Sequence, residues 1–135
     1  MILLDTSVLI DYLKDTENAA TNTLDEIIDN NLPYGICDYV YQELLQGTKT
    51  EKDFKKLKEY LETLPFYYLN YGKESFERAA LLNFKCRRTG VTIRSTIDLL
   101  IAETAIENNL YLLHNDADFD NMAKKITELK IYKTE

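Results

Sequence analysis

Ile2-Leu3-Leu4-Asp5-Thr6-Ser7-Val8-Leu9 opens the chain and reads as two elements with a charge at the joint. Ile2, Leu3 and Leu4 form a short apolar run that stops at Asp5. Val8, Leu9, Tyr12 and Leu13 then recur at helical spacing. The pattern predicts a strand over 2–5 and a helix over 7–13, with Asp5 ending the strand.

The same arrangement returns late in the chain. Leu110 to Leu113 (Leu, Tyr, Leu, Leu) is followed by His114, Asn115 and Asp116, then by the acidic turn carrying Asp118 and Asp120. In open α/β sheets, ligands sit beyond the carboxyl ends of strands. Two strands that each finish near an aspartate therefore put negative charge where such a fold does its chemistry.

Between these ends, Pro33 and Pro65 each precede a short β-like stretch, at 34–37 and 66–69. A further strand is expected at 130–132. Helical periodicity predicts helices over 17–31, 38–47, 51–63, 72–89, 97–109 and 117–124. Alternation of this kind means a parallel sheet between helical layers. At 135 residues and 45% hydrophobic content, the chain is expected to be one domain over 1–135, burying about 70% of its unfolded surface.

Two more acids fall on rigid elements. Asp38 is expected to cap the helix that carries Glu43, with Gly47 as its stop, and Asp98 opens the apolar helix of Ile97, Leu100, Ile101 and Ala105. A carboxylate in a first helical turn gains from the helix dipole, which alone is a structural reason for Asp98. Asp5, Asp98 and Asp116 stand out from 23 acidic residues by their hydrophobic surroundings. A cluster of carboxylates without His or Cys ligands suits Mg²⁺ or Mn²⁺ rather than zinc.

The net charge of −7 has the wrong sign for a nucleic-acid binder, but its distribution is uneven. Residues 1–48 carry −8, residues 49–97 carry +5 and residues 98–135 carry −4. Lys49, Lys52, Lys55, Lys56 and Lys58 read as the solvated face of a helix with Leu57, Tyr60, Leu61 and Leu64 inside. Arg87, Arg88 and Arg94 lead into Asp98 and suit bidentate phosphate contacts. Of the aromatic residues, Tyr12, Tyr60, Phe76, Phe84 and Tyr111 are expected to pack in the core, while Tyr39 and Tyr41 lie near Glu43. One histidine, His114, rules out a histidine-pair mechanism within one chain. Cys37 and Cys86 read as buried thiols of a reducing cytosol, and no glycine-rich phosphate loop is present. No stretch reaches the roughly 20 apolar residues of a membrane span, and the N-terminal run lacks a basic leader, so a soluble cytoplasmic protein is expected.

Three blocks, Ile2 to Asp11, Thr96-Ile97-Asp98-Leu99-Leu100-Ile101-Ala102 and Leu112 to Asp120, occur in an order that closely resembles the PIN-domain ribonucleases, and among them the VapC-type toxins of toxin–antitoxin pairs. The resemblance spans nearly the whole chain. It implies a three-layer α/β/α domain with a central parallel sheet of four to five strands. It also implies an Mg²⁺- or Mn²⁺-dependent endoribonuclease in which Asp5, Glu43, Asp98 and Asp116 are the acids of the site. Thr6 and Ser7 match hydroxyl positions beside the first acid, and Asp118 and Asp120 are candidate supporting acids. A small VapB-like antitoxin and a homodimer through the 51–89 helices are the implied partners. Two alternatives share the fold: a catalytically inert binding module, and a DNA-directed nuclease of the same superfamily.

Overall fold

The computed structural model describes residues 1–134. Strands and helices alternate through them as β1 (Ile2–Leu4), α1 (Thr6–Leu13), α2 (Ala19–Asp29), β2 (Tyr34–Cys37), α3 (Asp38–Gln46), α4 (Glu51–Leu61), β3 (Phe66–Tyr67), α5 (Lys73–Arg88), α6 (Thr96–Glu107), β4 (Tyr111–Leu113), α7 (Ala117–Ala123) and β5 (Lys130–Ile131). The strands form one sheet in the order β3-β2-β1-β4-β5, and every neighbouring pair is parallel. This is the α/β architecture expected, a five-stranded parallel sheet flanked by helices. β1 lies at its centre with all three residues buried, which is why its sequence is apolar throughout.

The order of the strands decides where a site can form. From β1 the chain builds outward through β2 to β3, then crosses back to place β4 on the other side of β1 and β5 beyond it. The direction of winding reverses between β1 and β4, and a crevice opens at their carboxyl ends. Leu4 pairs with Leu113 in register, and the Asp5 N–H continues the ladder by donating to the Leu113 carbonyl at 3.0 Å. Asp5 and His114 therefore leave the sheet side by side.

Local chemistry explains the element ends. α1, α2, α5 and α6 all finish in the same way: the residue after the cap donates to the carbonyl three back, and the next residue reaches five back, as when Leu110 donates to Ala105 at 2.8 Å. That turn needs a left-handed residue, supplied by Asp15, Asn31, Gly90 and Asn109 at φ 56°, 54°, 85° and 53°. Gly35 in β2 is required for a different reason. A Cβ there would lie 2.3 Å from the Pro65 carbonyl oxygen, so only glycine lets β3 approach.

α6 is the buried helix of the domain, with Leu99 through Ala105 all inside. One of those residues is Glu103, 3% exposed. Burial, then the hydrogen bond and the charge of Glu107, push its carboxyl up to about 8. Against its own desolvation, Glu107 is held below the ordinary value by hydrogen bonds from Glu103, the Asn70 amide and Ser75. A protonated Glu103 thus supplies the hydrogen for Glu107 Oε2, a buried oxygen that nothing else satisfies.

Some expectations need correction. β1 ends at Leu4, so Asp5 is the cap of α1 rather than a strand residue. Cys37 is the cap of α3 and Asp38 its first residue, because β2 runs straight into the helix. Tyr60, Phe76, Phe84 and Tyr111 are not core residues but lie exposed. Their apolar rows mark surface rather than interior, since α4 is anchored by Leu61 and α5 by Ala79, Leu82 and Cys86. Among the described residues, no helix is long and apolar enough to cross a membrane.

Candidate active site

At the crevice between β1 and β4, carboxylates arrive from four parts of the chain. Asp5 caps α1, Glu43 projects from α3, Asp98 sits in the first turn of α6, and Asp116 and Asp118 open α7. Asp98, Asp116 and Asp118 each offer an oxygen within 4.8 Å of the others. Asp5 and Glu43 lie at the margin of this group, close enough for their charges to raise the proton affinity of Asp98.

Most of these acids are gripped on one oxygen and left available on the other. Asp5 Oδ2 accepts from the Ser7 hydroxyl at 2.6 Å and from the Ser7 N–H at 3.1 Å. Ser7 Oγ in turn accepts the Asn115 N–H at 3.0 Å, so one hydroxyl ties the end of β1 to the end of β4. Thr6 donates to Glu43 Oε1 at 3.0 Å, and the Asp118 N–H donates to Asp116 Oδ1 at 2.9 Å. Donors of this kind lock the orientation of a side chain before anything binds. Asp118 differs: Arg94 holds both of its oxygens, Nε to Oδ2 at 3.2 Å and Nη2 to Oδ1 at 3.1 Å.

His114 belongs to the frame of the site and not to the acid group. Its Nδ1 accepts the Asp116 N–H at 3.0 Å, which makes Nε2 the donor toward Asp120 Oδ1 at 3.1 Å. Asp120 is thereby tied to His114 and stands outside the group of Asp98, Asp116 and Asp118. The ring packs against the buried Phe119, 5.3 Å between centroids, which anchors α7 beneath the site. A groove of about 500 Å³ runs alongside, lined by residues that include His114, Asn115, Asp116, Tyr132 and Lys133.

Crowding dominates the electrostatics. Desolvation, then the charges of Asp5, Asp116, Glu43 and Asp118, push Asp98 up to about 7. The helix terminus favours the ionised form by about 0.3–1 kcal/mol. Burial, and after it the like charges, act in the opposite sense and win, since they leave Asp98 well above the ordinary carboxylate value. Burial also raises Asp5, which is 5% exposed, although the Ser7 hydrogen bonds oppose it. Carboxylates held together at this cost suit a hard divalent cation, because the donor set is oxygen only.

The sequence pattern marks Asp118 only as a supporting acid, whereas its position two residues after Asp116 in the first turn of α7 brings it into the trio itself. No local pattern signals that Arg94 meets Asp118, a contact across 24 residues that only folding creates. Arg87 and Arg88 are exposed at the end of α5, with the Arg88 guanidinium 5.7 Å from the centroid of Phe84.

The PIN-domain model matches residues 2–125, nearly the whole of this parallel sheet and its acids: the chain belongs to the PIN-domain family. Among curated proteins it is similar to the VapC ribonuclease Mb1587 of Mycobacterium bovis, 31% identical over 131 residues and covering 96% of each chain. The ribonuclease VapC11 of Mycobacterium tuberculosis matches equally well. Among solved structures it resembles a chain of VapBC2 from Rickettsia felis bound to a promoter DNA fragment, at a TM-score of 0.74, 23% identity and 98% of each chain. A chain of VapBC-1 from nontypeable Haemophilus influenzae follows at 0.72 and 21%, also over 98% of each.

Proposed function

We propose that this protein is an endoribonuclease toxin of the VapC kind, dependent on Mg²⁺ or Mn²⁺ and neutralised by a small VapB-like antitoxin. The observation that carries the reading is the convergence of Asp98, Asp116 and Asp118 within 4.8 Å, flanked by Asp5 and Glu43, at the carboxyl ends of β1 and β4. The VapC ribonucleases similar over 96% of their length support the choice of RNA as substrate.

Asp5, Asp98 and Asp116, with Glu43 and Asp118 beside them, are the residues that would hold the ion. When bound, such an ion lowers the proton affinity of water and stabilises charge that develops on the phosphate oxygens. The chain's own groups do the rest. Ser7 and Thr6 hold Asp5 and Glu43 in place, and the Asp118 amide holds Asp116. Glu43, with one oxygen bound by Thr6 and the other available, is placed to accept a proton from the attacking water. Arg94 beside the acids, with Arg87 and Arg88 at the end of α5, would supply positive charge for the RNA backbone. The residues 1–135 form one nuclease domain, at work in the reducing cytosol where RNA and free buried thiols such as Cys37 and Cys86 coexist. Two copies associate through the 51–89 region, whose exposed Phe54, Tyr60, Phe76, Leu81 and Phe84 offer apolar surface.

The test is cleavage of an RNA pool by the purified wild type, Asp5→Ala and Asp98→Asn, with Mg²⁺, with Mn²⁺ and with EDTA. Cleavage is expected only for the wild type with metal, while circular dichroism shows all three folded. Wild-type rates in Asp5→Ala, or in EDTA, would overturn the proposal. Light scattering across a concentration series checks the dimer.

A further inference from the structure

Of the acids at the site, Asp118 alone has both oxygens engaged by a side chain of opposite charge. Its carboxylate is also one of the three that stand within 4.8 Å of one another. A cation that enters the trio takes an Asp118 oxygen that the forked guanidinium, bound to both, already holds. The partners are unequal in exposure: Asp118 is 13% exposed and fixed in the first turn of α7, whereas Arg94 is 77% exposed on the segment between α5 and α6. The fork is directional, since Arg presents two parallel N–H groups in a fixed plane, but an exposed arm of this kind is held weakly.

We infer that Arg94 is a built-in counter-ion of the acidic site, exchanged for the divalent ion: it neutralises Asp118 while the ion is absent and is displaced from it when the ion binds. The inference rests on the reading of the site as a metal centre. Its chemistry follows from what surrounds Asp118. With Asp5, Glu43, Asp98 and Asp116 nearby, a further bare carboxylate would add to a repulsion that already reaches Asp98, and a guanidinium removes that charge without a bound ion. Once Asp118 turns to the ion, Arg94 is left beside the metal centre with five N–H donors and no carboxylate, which is the disposition needed to meet a phosphate of the substrate. The residue thus couples loading of the ion to readiness for RNA. Arg94 lies one residue before Ser95, the cap of α6, so its tether is short and anchored to the helix that carries Asp98.

The experiment is a calorimetric Mn²⁺ titration of the full chain at fixed pH and 0.15 M salt, for the wild type, Arg94→Gln, Asp118→Asn and the double variant. Arg94→Gln is expected to bind Mn²⁺ about two- to fivefold more tightly, the scale of an exposed ion pair that no longer has to be broken. In the Asp118→Asn background that gain is expected to vanish, because the exchange has lost its partner. A second readout is the Arg94 Nε–H signal in a ¹⁵N correlation spectrum, identified by its loss in Arg94→Gln, which should shift when Mg²⁺ is added. Equal Mn²⁺ affinity in the wild type and Arg94→Gln overturns the inference and leaves the metal site standing. A gain that persists with Asp118→Asn also overturns it, since the arginine would then act only through its general field. Absence of Mn²⁺ binding in every form would sink both the inference and the reading beneath it.

Discussion

Replacing Asp98 by asparagine should stabilise the ion-free protein, and the size and pH dependence of the gain follow from the site. Desolvation and the surrounding acids raise Asp98 from 3.8 to about 7. At about 1.36 kcal/mol per unit, that difference of about three units sets a ceiling near 4 kcal/mol. Asp98 is partly exposed and its neighbours readjust, so about 1–2 kcal/mol is the expected share. The sign is set by proton uptake. The folded protein holds the Asp98 proton up to about pH 7, while the unfolded chain releases it near pH 4, so the wild type loses stability as pH climbs through that window. The amide does not titrate. The advantage of Asp98→Asn in EDTA should therefore be small at pH 4, grow to pH 7 and stay level above it. For a domain of this size, 1–2 kcal/mol corresponds to a rise in Tm of about 3–8 °C. Adding Mg²⁺ should stabilise the wild type and not the variant, so the gap narrows. Differential scanning fluorimetry at several pH values, with EDTA and with Mg²⁺, measures each of these. An unchanged Tm at pH 8 in EDTA, or a gain of equal size at pH 4 and pH 8, would refute the reasoning.

Three further substitutions probe other parts of the molecule. Glu103→Gln keeps a donor for Glu107 but removes the titration, so it should equal the wild type at pH 4 and surpass it as pH rises from about 4.5 to about 8, read from urea midpoints across that range. Gly35→Ala puts a methyl 2.3 Å from the Pro65 carbonyl oxygen and should cost 3 kcal/mol or more, seen as a collapse of the urea midpoint or loss of soluble protein. Ser7→Ala removes the 2.6 Å donor to Asp5 and the acceptor for Asn115, with an expected loss of about 1.5–3 kcal/mol and weaker Mn²⁺ binding in the same calorimeter.

The frame of the fold was legible because its strongest signals are local. Leu3, Leu4, Leu112 and Leu113 lie in unbroken apolar runs because their strands are covered on both faces, whereas the role of Asp5 as the cap of a helix that starts at Thr6 is not readable from that run. Asp5, Asp98 and Asp116 stand out in the sequence by their apolar surroundings at element ends, while Glu43, within α3, is marked only by the family resemblance. What remained hidden depends on distance through space. Phe76 and Phe84 recur at helical spacing like core residues, and periodicity does not say whether an apolar row faces the sheet or the solvent. Glu103 hides in an otherwise apolar helix, because its burial is tolerable only with Glu107 one turn away to share a proton. The Arg94–Asp118 pair joins a loop to a helix that no local pattern connects.

The strand order carries a consequence for the protein's birth on the ribosome. β1 is made first but bonds on one side to β4, whose pairing residue for Leu3 is Leu112, so the central strand keeps an open edge until most of the chain has been synthesised. Contacts that span so much sequence form late and slowly. The nascent chain must present Asp118 before the acidic trio exists, and at about 5–20 residues per second that moment comes about 1–4 s after Asp98 has been added. The acidic trio thus cannot assemble on any nascent chain that stops short of Asp118.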